Sequence, residues 1–217
     1  VFSAGETFPA TVNRSQKESP DHERNRAMEE RIMTFILDPG HGMSNRKRGV
    51  YDPGATAAGH TEAEIAMVWA NELRGILHER GFEVIRTRVN AKDPCPVSRR
   101  DDIALAYDGD VMISLHLNAA TGKASGVETF YRGADDREIA VKLTNTLSAV
   151  LGLPNRGPKT EQQSQHAILA VMEFDKCWLI ELGFIDNPND RSKLLDPALR
   201  HKACEAIADV FSDFPKR

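Results

Sequence analysis

Two histidines and two glutamates carry the chemistry this sequence can perform. His41 lies in Asp38-Pro39-Gly40-His41-Gly42, and His116 in Ile113-Ser114-Leu115-His116-Leu117-Asn118. Glu62 stands at the head of a helical pattern, and Glu181 lies in the apolar run Trp178-Leu179-Ile180-Glu181-Leu182. A catalytic zinc takes three protein ligands from His, Glu or Asp and keeps a fourth position for water. His41, Glu62 and His116 supply such a set. An isolated ionised carboxylate in an apolar strand is costly, so Glu181 is either paired or has its pKa raised by burial. A raised pKa suits a general base that takes a proton from water and passes it to a leaving amine.

Each residue also has a plainer reading. His41 can be a surface histidine in a turn, where Gly40 lets the backbone come close to a ligand. His116, inside an apolar run, must be hydrogen-bonded or metal-bound if buried, and a satisfied core histidine meets that condition equally well. Glu181 can be half of a buried salt bridge, with Arg86, Arg99 or Arg156 as partner. His60, His78, His201 and His22 fall in surface patterns. His166 follows a polar loop and is read as a surface residue near a cleft.

Helix geometry separates Glu62 from Glu64. Ile65, Val68, Trp69, Leu73, Ile76 and Leu77 form one apolar stripe at helical spacing. At about 100° per residue, Glu62 falls near the centre of that stripe and Glu64 far round the other side. Thr61-Glu62-Ala63-Glu64 also fits a capping box, with Thr61 as N-cap and Glu64 three residues on. Glu64 therefore has a structural role, and Glu62 is an inward carboxylate in need of a partner.

The elements that must position these groups follow from pattern. Apolar runs at 34–37, 82–86, 111–117, 126–131, 167–171 and 177–182 read as strands. Helical patterns cover 62–80, 97–107, 135–151, 189–195 and 197–211. Alternation of the two predicts a single α/β domain built on a largely parallel sheet with helices on both faces. Ligands of such sheets sit outside the carboxyl ends of the strands. The runs ending at His41, His116 and Glu181 bring their polar groups to that edge.

Composition excludes several classes. The 217 residues carry 28 basic and 32 acidic groups, a net charge of -4, which argues against a nucleic-acid binder. No apolar run approaches the length of a membrane span. Three cysteines without metal-ligand spacing do not make a disulfide framework or a structural zinc knuckle. Residues 1–31 are polar and rich in both charge signs, and are expected to form a flexible leader ahead of a domain at 32–217. That leader lacks the basic start and apolar stretch of a signal peptide, so no export route is visible in it.

Five segments in order carry a resemblance: Ile36 to Gly42, Asp52-Pro53-Gly54-Ala55, the acidic helix start at Glu62, Ile113 to Ala119, and Ile180 to Asn187. Asn155-Arg156-Gly157-Pro158-Lys159 adds a sixth, a loop common in the same family. Together they resemble zinc-dependent N-acetylmuramoyl-L-alanine amidases, the branch with bacterial cell-separation, spore-lytic and phage endolysin enzymes. The resemblance covers about residues 33–211. It implies a twisted sheet with flanking helices, one catalytic zinc on His41, Glu62 and His116, and Glu181 as the catalytic carboxylate. It further implies a peptidoglycan substrate, cut between the lactyl group of N-acetylmuramic acid and L-alanine, at the cell wall or in the periplasm. Asn118, just beyond His116, is expected to help position substrate. The interval from His116 to Glu181 lacks the long autoinhibitory helical insertion of some cell-division members. The alternatives are a zinc peptidase cutting within the stem peptide and a catalytically silent wall-binding module.

Overall fold

Thr34–Pro39 (β1) is buried at all six positions, as expected of a strand inside a sheet covered on both faces. The computed structural model describes residues 32–164 and 169–212; the leader at 1–31 and His166 lie outside the described residues. After β1, four short strands occupy one long loop: Gly42–Met43 (β2), Tyr51–Asp52 (β3), Thr56–Ala57 (β4) and His60–Thr61 (β5). They pair as two small antiparallel ladders, β2 with β3 and β4 with β5. Helix α1 then runs over Glu62–Glu79 and strand β6 over Glu83–Arg86.

A 3-10 turn at Val97–Arg99 leads into helix α2, Arg100–Ala106. Strands β7 (Val111–Asn118) and β8 (Val127–Tyr131) follow, then helix α3 (Arg137–Leu151) and strand β9 (Asn155–Thr160). Strand β10 (Cys177–Phe184) and helices α4 (Pro188–Leu195) and α5 (Pro197–Val210) complete the described chain.

Six strands form one sheet in the order β6-β1-β7-β10-β8-β9. All neighbours are parallel except β10 and β8. Helices α1, α3 and α5 cover one face, where Trp69, Leu73, Leu147, Trp178, Ile207 and Phe211 share a core with the inward residues of β1, β7 and β10. The other face packs Ile36, Met112 and Leu179 against Ala104 of α2 and Val171, Met172 and Phe174. Buried Trp69 also donates its indole N–H to Leu194 O at 3.0 Å, tying α1 to α4.

Three local expectations differ from the structure. The run at 167–171 is not a strand in its described part; Ala170–Glu173 winds into a 3-10 turn under the second face of the sheet. The loop at 155–160 is a strand. Its Pro158 is tolerated because β9 lies at the sheet edge, and Gly157, at φ 81°, accompanies a register shift against β8. Val68, placed in the apolar stripe of α1, is 45% exposed, so the buried stripe is narrower and is completed by Ala66 and Ala70.

Candidate metal and acid–base site

The site begins with a turn that a side chain would normally refuse. His41 has φ 59°, a left-handed conformation costly for a residue with a β-carbon. Two buried arginines hold it there. Arg88 donates from Nε to Pro39 O at 2.9 Å and from Nη2 to Gly40 O and Ala63 O, both at 2.8 Å. Arg100 donates to Pro39 O at 3.1 Å and to His41 O at 2.8 Å. Arg88 thus joins the His41 turn to the first turn of α1.

Beneath them Asp38 is 1% exposed and paired with Arg100. It also accepts hydrogen bonds from Thr87 and Ser114, each at 2.6 Å. Burial alone would raise its pKa, but Arg100, Ser114 and Thr87 together hold the carboxyl below its ordinary value.

Glu62 enters from the first position of α1. The helix start is capped as the sequence implies: Thr61 Oγ1 accepts from Glu64 N at 3.2 Å. The Glu64 carboxylate bonds the Thr61 hydroxyl at 2.9 Å, a variation on the capping box, which uses the N-cap backbone N–H instead. The N–H groups of Glu62 and Ala63 are taken by Ala55 O and Pro53 O, so the segment 52–55 closes the helix end. Glu62 is 4% exposed and turns into the site. Its Oε2 accepts from Ala55 N at 2.9 Å and its Oε1 from Leu117 N at 3.0 Å.

The same Oε1 lies 3.1 Å from His41 Nε2 and 2.9 Å from His116 Nδ1. One ligand atom from each of His41, Glu62 and His116 falls within 4.8 Å of the others. Tetrahedral ligands at the usual 2.0–2.1 Å from zinc lie ~3.3 Å apart, so both the separations and the N, O, N donor set suit zinc. The neighbouring backbone leaves no room for side chains. A β-carbon on Gly40 would lie 2.4 Å from His116 Cε1, and one on Gly54, at φ 66°, would lie 2.5 Å from Glu62 Oε2.

Asp52 orients the first histidine. Its Oδ2 lies 3.1 Å from His41 Nδ1, which donates to it and leaves Nε2 facing Glu62. Burial would raise the Asp52 carboxyl, but Asn45, the Gly54 N–H and His41 bring it to about 2. Burial works against a charge on His41, yet Glu62 and Asp52 outweigh it and raise its pKa. Burial likewise opposes ionised Glu62, and the hydrogen bonds from His116 and His41 reverse that and lower it.

Glu181 stands beside this cluster, in register with His116 across β10 and β7. None of the three arginines that the salt-bridge alternative offered as its partner pairs with it. Arg86 bonds Asn71, Arg99 pairs with Asp102 at 4.0 Å, and Arg156 pairs with Glu128 at 2.7 Å. Oε2 of Glu181 is enclosed and has no hydrogen-bond partner among the described residues, although the residue as a whole keeps some access to the cavity. Burial pushes its pKa well up, and the negative charges of Glu62 and Glu128 push it further, with Lys159 opposing.

His41, Glu62, His116, Asn118 and Glu181 all line one cavity of about 670 Å³. Asn118 donates from Nδ2 to Glu128 Oε1 at 2.9 Å. Sequence reasoning missed Arg88, Arg100 and Glu128, and quoted Asp52 within a motif without giving it a role. Glu128 carried a usable signal, since it is the one charged residue in the strand Val127–Tyr131, whose five positions are all buried.

Fold and site together define an α/β protein with a metal-competent His-Glu-His cluster and, at the carboxyl edge of its sheet, an acid without an ion-pair partner among the described residues. The family model described as N-acetylmuramoyl-L-alanine amidase matches residues 35–212, and the chain belongs to that family. It is 30% identical over 183 residues to the N-acetylmuramoyl-L-alanine amidase LytC of Bacillus subtilis (strain 168), covering 81% of this chain and 34% of that protein. It is also 30% identical over 190 residues to the germination-specific N-acetylmuramoyl-L-alanine amidase of the same organism, covering 80% of this chain and 76% of that one. Its fold matches the catalytic domain of CwlV from Bacillus (Paenibacillus) polymyxa var. colistinus, with a TM-score of 0.73 at 21% identity, covering 84% and 98% of the two chains. The chain spans about a third of the length of LytC and of a Bacillus anthracis cell wall amidase, 34% and 35% respectively. No described helix is long and apolar enough to cross a membrane.

Proposed function

We propose that this protein is a zinc-dependent peptidoglycan amidase acting at the cell wall. It hydrolyses the amide between the lactyl group of N-acetylmuramic acid and the L-alanine of the stem peptide. The observation that carries this reading is the convergence of His41, Glu62 and His116 beside Glu181 in one cavity. Family membership supplies the bond that is cut.

A zinc bound by His41, Glu62 and His116 supplies a Lewis acid for the scissile carbonyl and makes water more acidic. The chain's own residues do the rest. Arg88 and Arg100 fix the His41 turn, and Asp52 fixes its ring. Glu181 takes a proton from the attacking water as the oxygen bonds the carbonyl carbon. It then gives that proton to the amine nitrogen as the C–N bond breaks, leaving a lactyl carboxylate and a free amino terminus. Burial and the charges of Glu62 and Glu128 raise the Glu181 pKa above the ordinary carboxylate value, which makes it a stronger base toward water than an exposed glutamate.

The test uses defined muropeptides, with zinc and with chelator, and mass spectrometry of the products. Zinc-dependent release of peptides with a free L-alanine amino terminus is expected. Cuts within the stem peptide, or turnover indifferent to chelator, would sink the proposal.

A further inference from the structure

The cavity wall beyond Glu181 carries a charged group that hydrolysis leaves unused. Strand register sets His116, Glu181 and Glu128 side by side on β7, β10 and β8, and β9 adds Lys159 beside Phe130. Glu128 is fully engaged. Its Oε1 accepts from Asn118, and its Oε2 accepts from Arg156 Nε at 2.7 Å and Lys159 Nζ at 2.6 Å. Two cations share this one carboxylate, so the cluster of Glu128, Arg156 and Lys159 by itself carries a net positive charge.

Arg156 is held on three sides. Its stem lies so close to Gly126 that a β-carbon there would sit 2.9 Å from its Cγ. Its guanidinium carbon is 4.9 Å from the centre of the Phe184 ring, and its Nε is fixed on Glu128. Its Nη1 and Nη2 make no hydrogen bond among the described residues, and Arg156 is one of the residues that line the cavity. A guanidinium edge, planar and already oriented, meets a carboxylate with two parallel hydrogen bonds.

The order across the sheet says which part of the substrate lies there. An acid that protonates the leaving amine must sit on the amine side of the scissile bond. From the metal cluster, Glu181 lies toward β8 and β9, so the stem peptide departs in that direction and the sugar lies on the other side. Neighbouring strands are ~4.8 Å apart, and the Arg156 guanidinium, tied to Glu128, sits about one strand beyond Glu181. With Cα atoms ~3.8 Å apart along a chain, a carboxylate on the α-carbon of the second stem residue lies ~6 Å from the leaving nitrogen. We infer that Arg156, with Lys159 beside it, binds the free α-carboxylate of the second stem-peptide residue and selects substrates in which that group is not amidated.

This inference rests on the amidase reading, and one experiment separates their fates. The zinc-loaded protein is given two muropeptides that differ only in a free or amidated α-carboxyl at stem position two, and kcat/KM is measured for each. The free acid is expected to be preferred by roughly 10–100-fold, the range of a charge-assisted, bidentate contact. Arg156→Met keeps the stem packing and should bring the ratio toward one, while Arg156→Lys, which keeps charge but not the fork, should fall between. Comparable turnover of both substrates by the unmodified protein would overturn the inference and leave the amidase reading standing. A ratio unchanged in a folded Arg156→Met protein would overturn it too, by showing that Arg156 acts only through Glu128. Turnover of neither substrate would remove both. The comparison on the unmodified protein decides the matter even if a variant fails to fold.

Discussion

Replacing Glu181 with Gln removes the proposed proton carrier while nearly preserving its volume, and the structure fixes what else should change. Among the described residues Glu181 has no ion-pair partner to lose and its Oε2 no hydrogen bond, so an amide oxygen can take that place at little cost. A carboxyl with a folded pKa raised above its unfolded value binds more protons in the native state. Stability then falls as pH rises between the two values, at ~1.4 kcal/mol per pH unit. Gln does not ionise, so in chelator-treated protein the variant should match the parent near pH 4 and gain on it by about that slope above. Turnover of the zinc-loaded variant should fall by roughly 10²–10⁴-fold. Urea unfolding from pH 4 to 7, zinc content after dialysis and muropeptide turnover read all three quantities on one protein. A loss of about 3–5 kcal/mol would mean that Glu181 is half of a buried ion pair after all. A folded, zinc-loaded and fully active variant would end the catalytic assignment.

Other perturbations test the rest of the site. Glu62→Ala should abolish tight zinc binding, whereas Glu64→Ala should keep zinc and cost about 1 kcal/mol through the lost cap; metal analysis and thermal unfolding together decide, and the reverse pattern would exchange their roles. Protons and metal compete for His41 Nε2, and Glu62 and Asp52 raise that histidine despite its burial, so zinc affinity should begin to fall at a pH above the ordinary histidine range. Asp52→Asn should lower the pH at which this begins and weaken zinc by about 10–100-fold; competition with a chromophoric chelator measures both, and an affinity flat down to pH 5.5 would refute the coupling. Arg100→Met strands Asp38, which is held below its ordinary pKa, so the loss should be about 3–5 kcal/mol at pH 7 and shrink as acid protonates Asp38; a pH-independent loss in urea unfolding would contradict this. A chain starting at Ile32 should unfold cooperatively and cleave soluble muropeptides like the full chain, because residues 1–31 offer little apolar surface for a core.

The periodic features were legible. Buried parallel strands announce themselves as apolar runs, and the stripe on α1 put Glu62 rather than Glu64 in the interior, where it lies. Short ladders such as β2–β3 and β4–β5, of two residues each, give no period to read. The clamp on His41 was invisible for another reason. Arg88 and Arg100 contact Pro39, Gly40 and His41 across 48 to 61 residues of sequence, and they bind backbone carbonyls, which any residue presents. The sequence argument named Arg86 and Arg99, each within two positions of a buried arginine, but it sought carboxylate partners. The buried pair mainly holds a strained turn.

The salt-bridge alternative for Glu181 is the more instructive case. Arg156 does neutralise a buried carboxylate in an apolar strand, but that carboxylate is Glu128, opposite Glu181 in the antiparallel pair. Antiparallel register brings two such side chains to neighbouring positions on one face, where like charges repel. The arrangement resolves this asymmetrically. Asn118, Arg156 and Lys159 all converge on Glu128 and lower its pKa against the effect of burial. Glu181, given none of these partners and facing the charges of Glu62 and Glu128, is pushed the other way. The two carboxylates are thereby driven apart in pKa, which suits one to a fixed charge and the other to the proposed role of proton carrier. A single apolar strand with one acid in it carries half of that information. The other half is the register between β10 and β8, which only the folded chain displays.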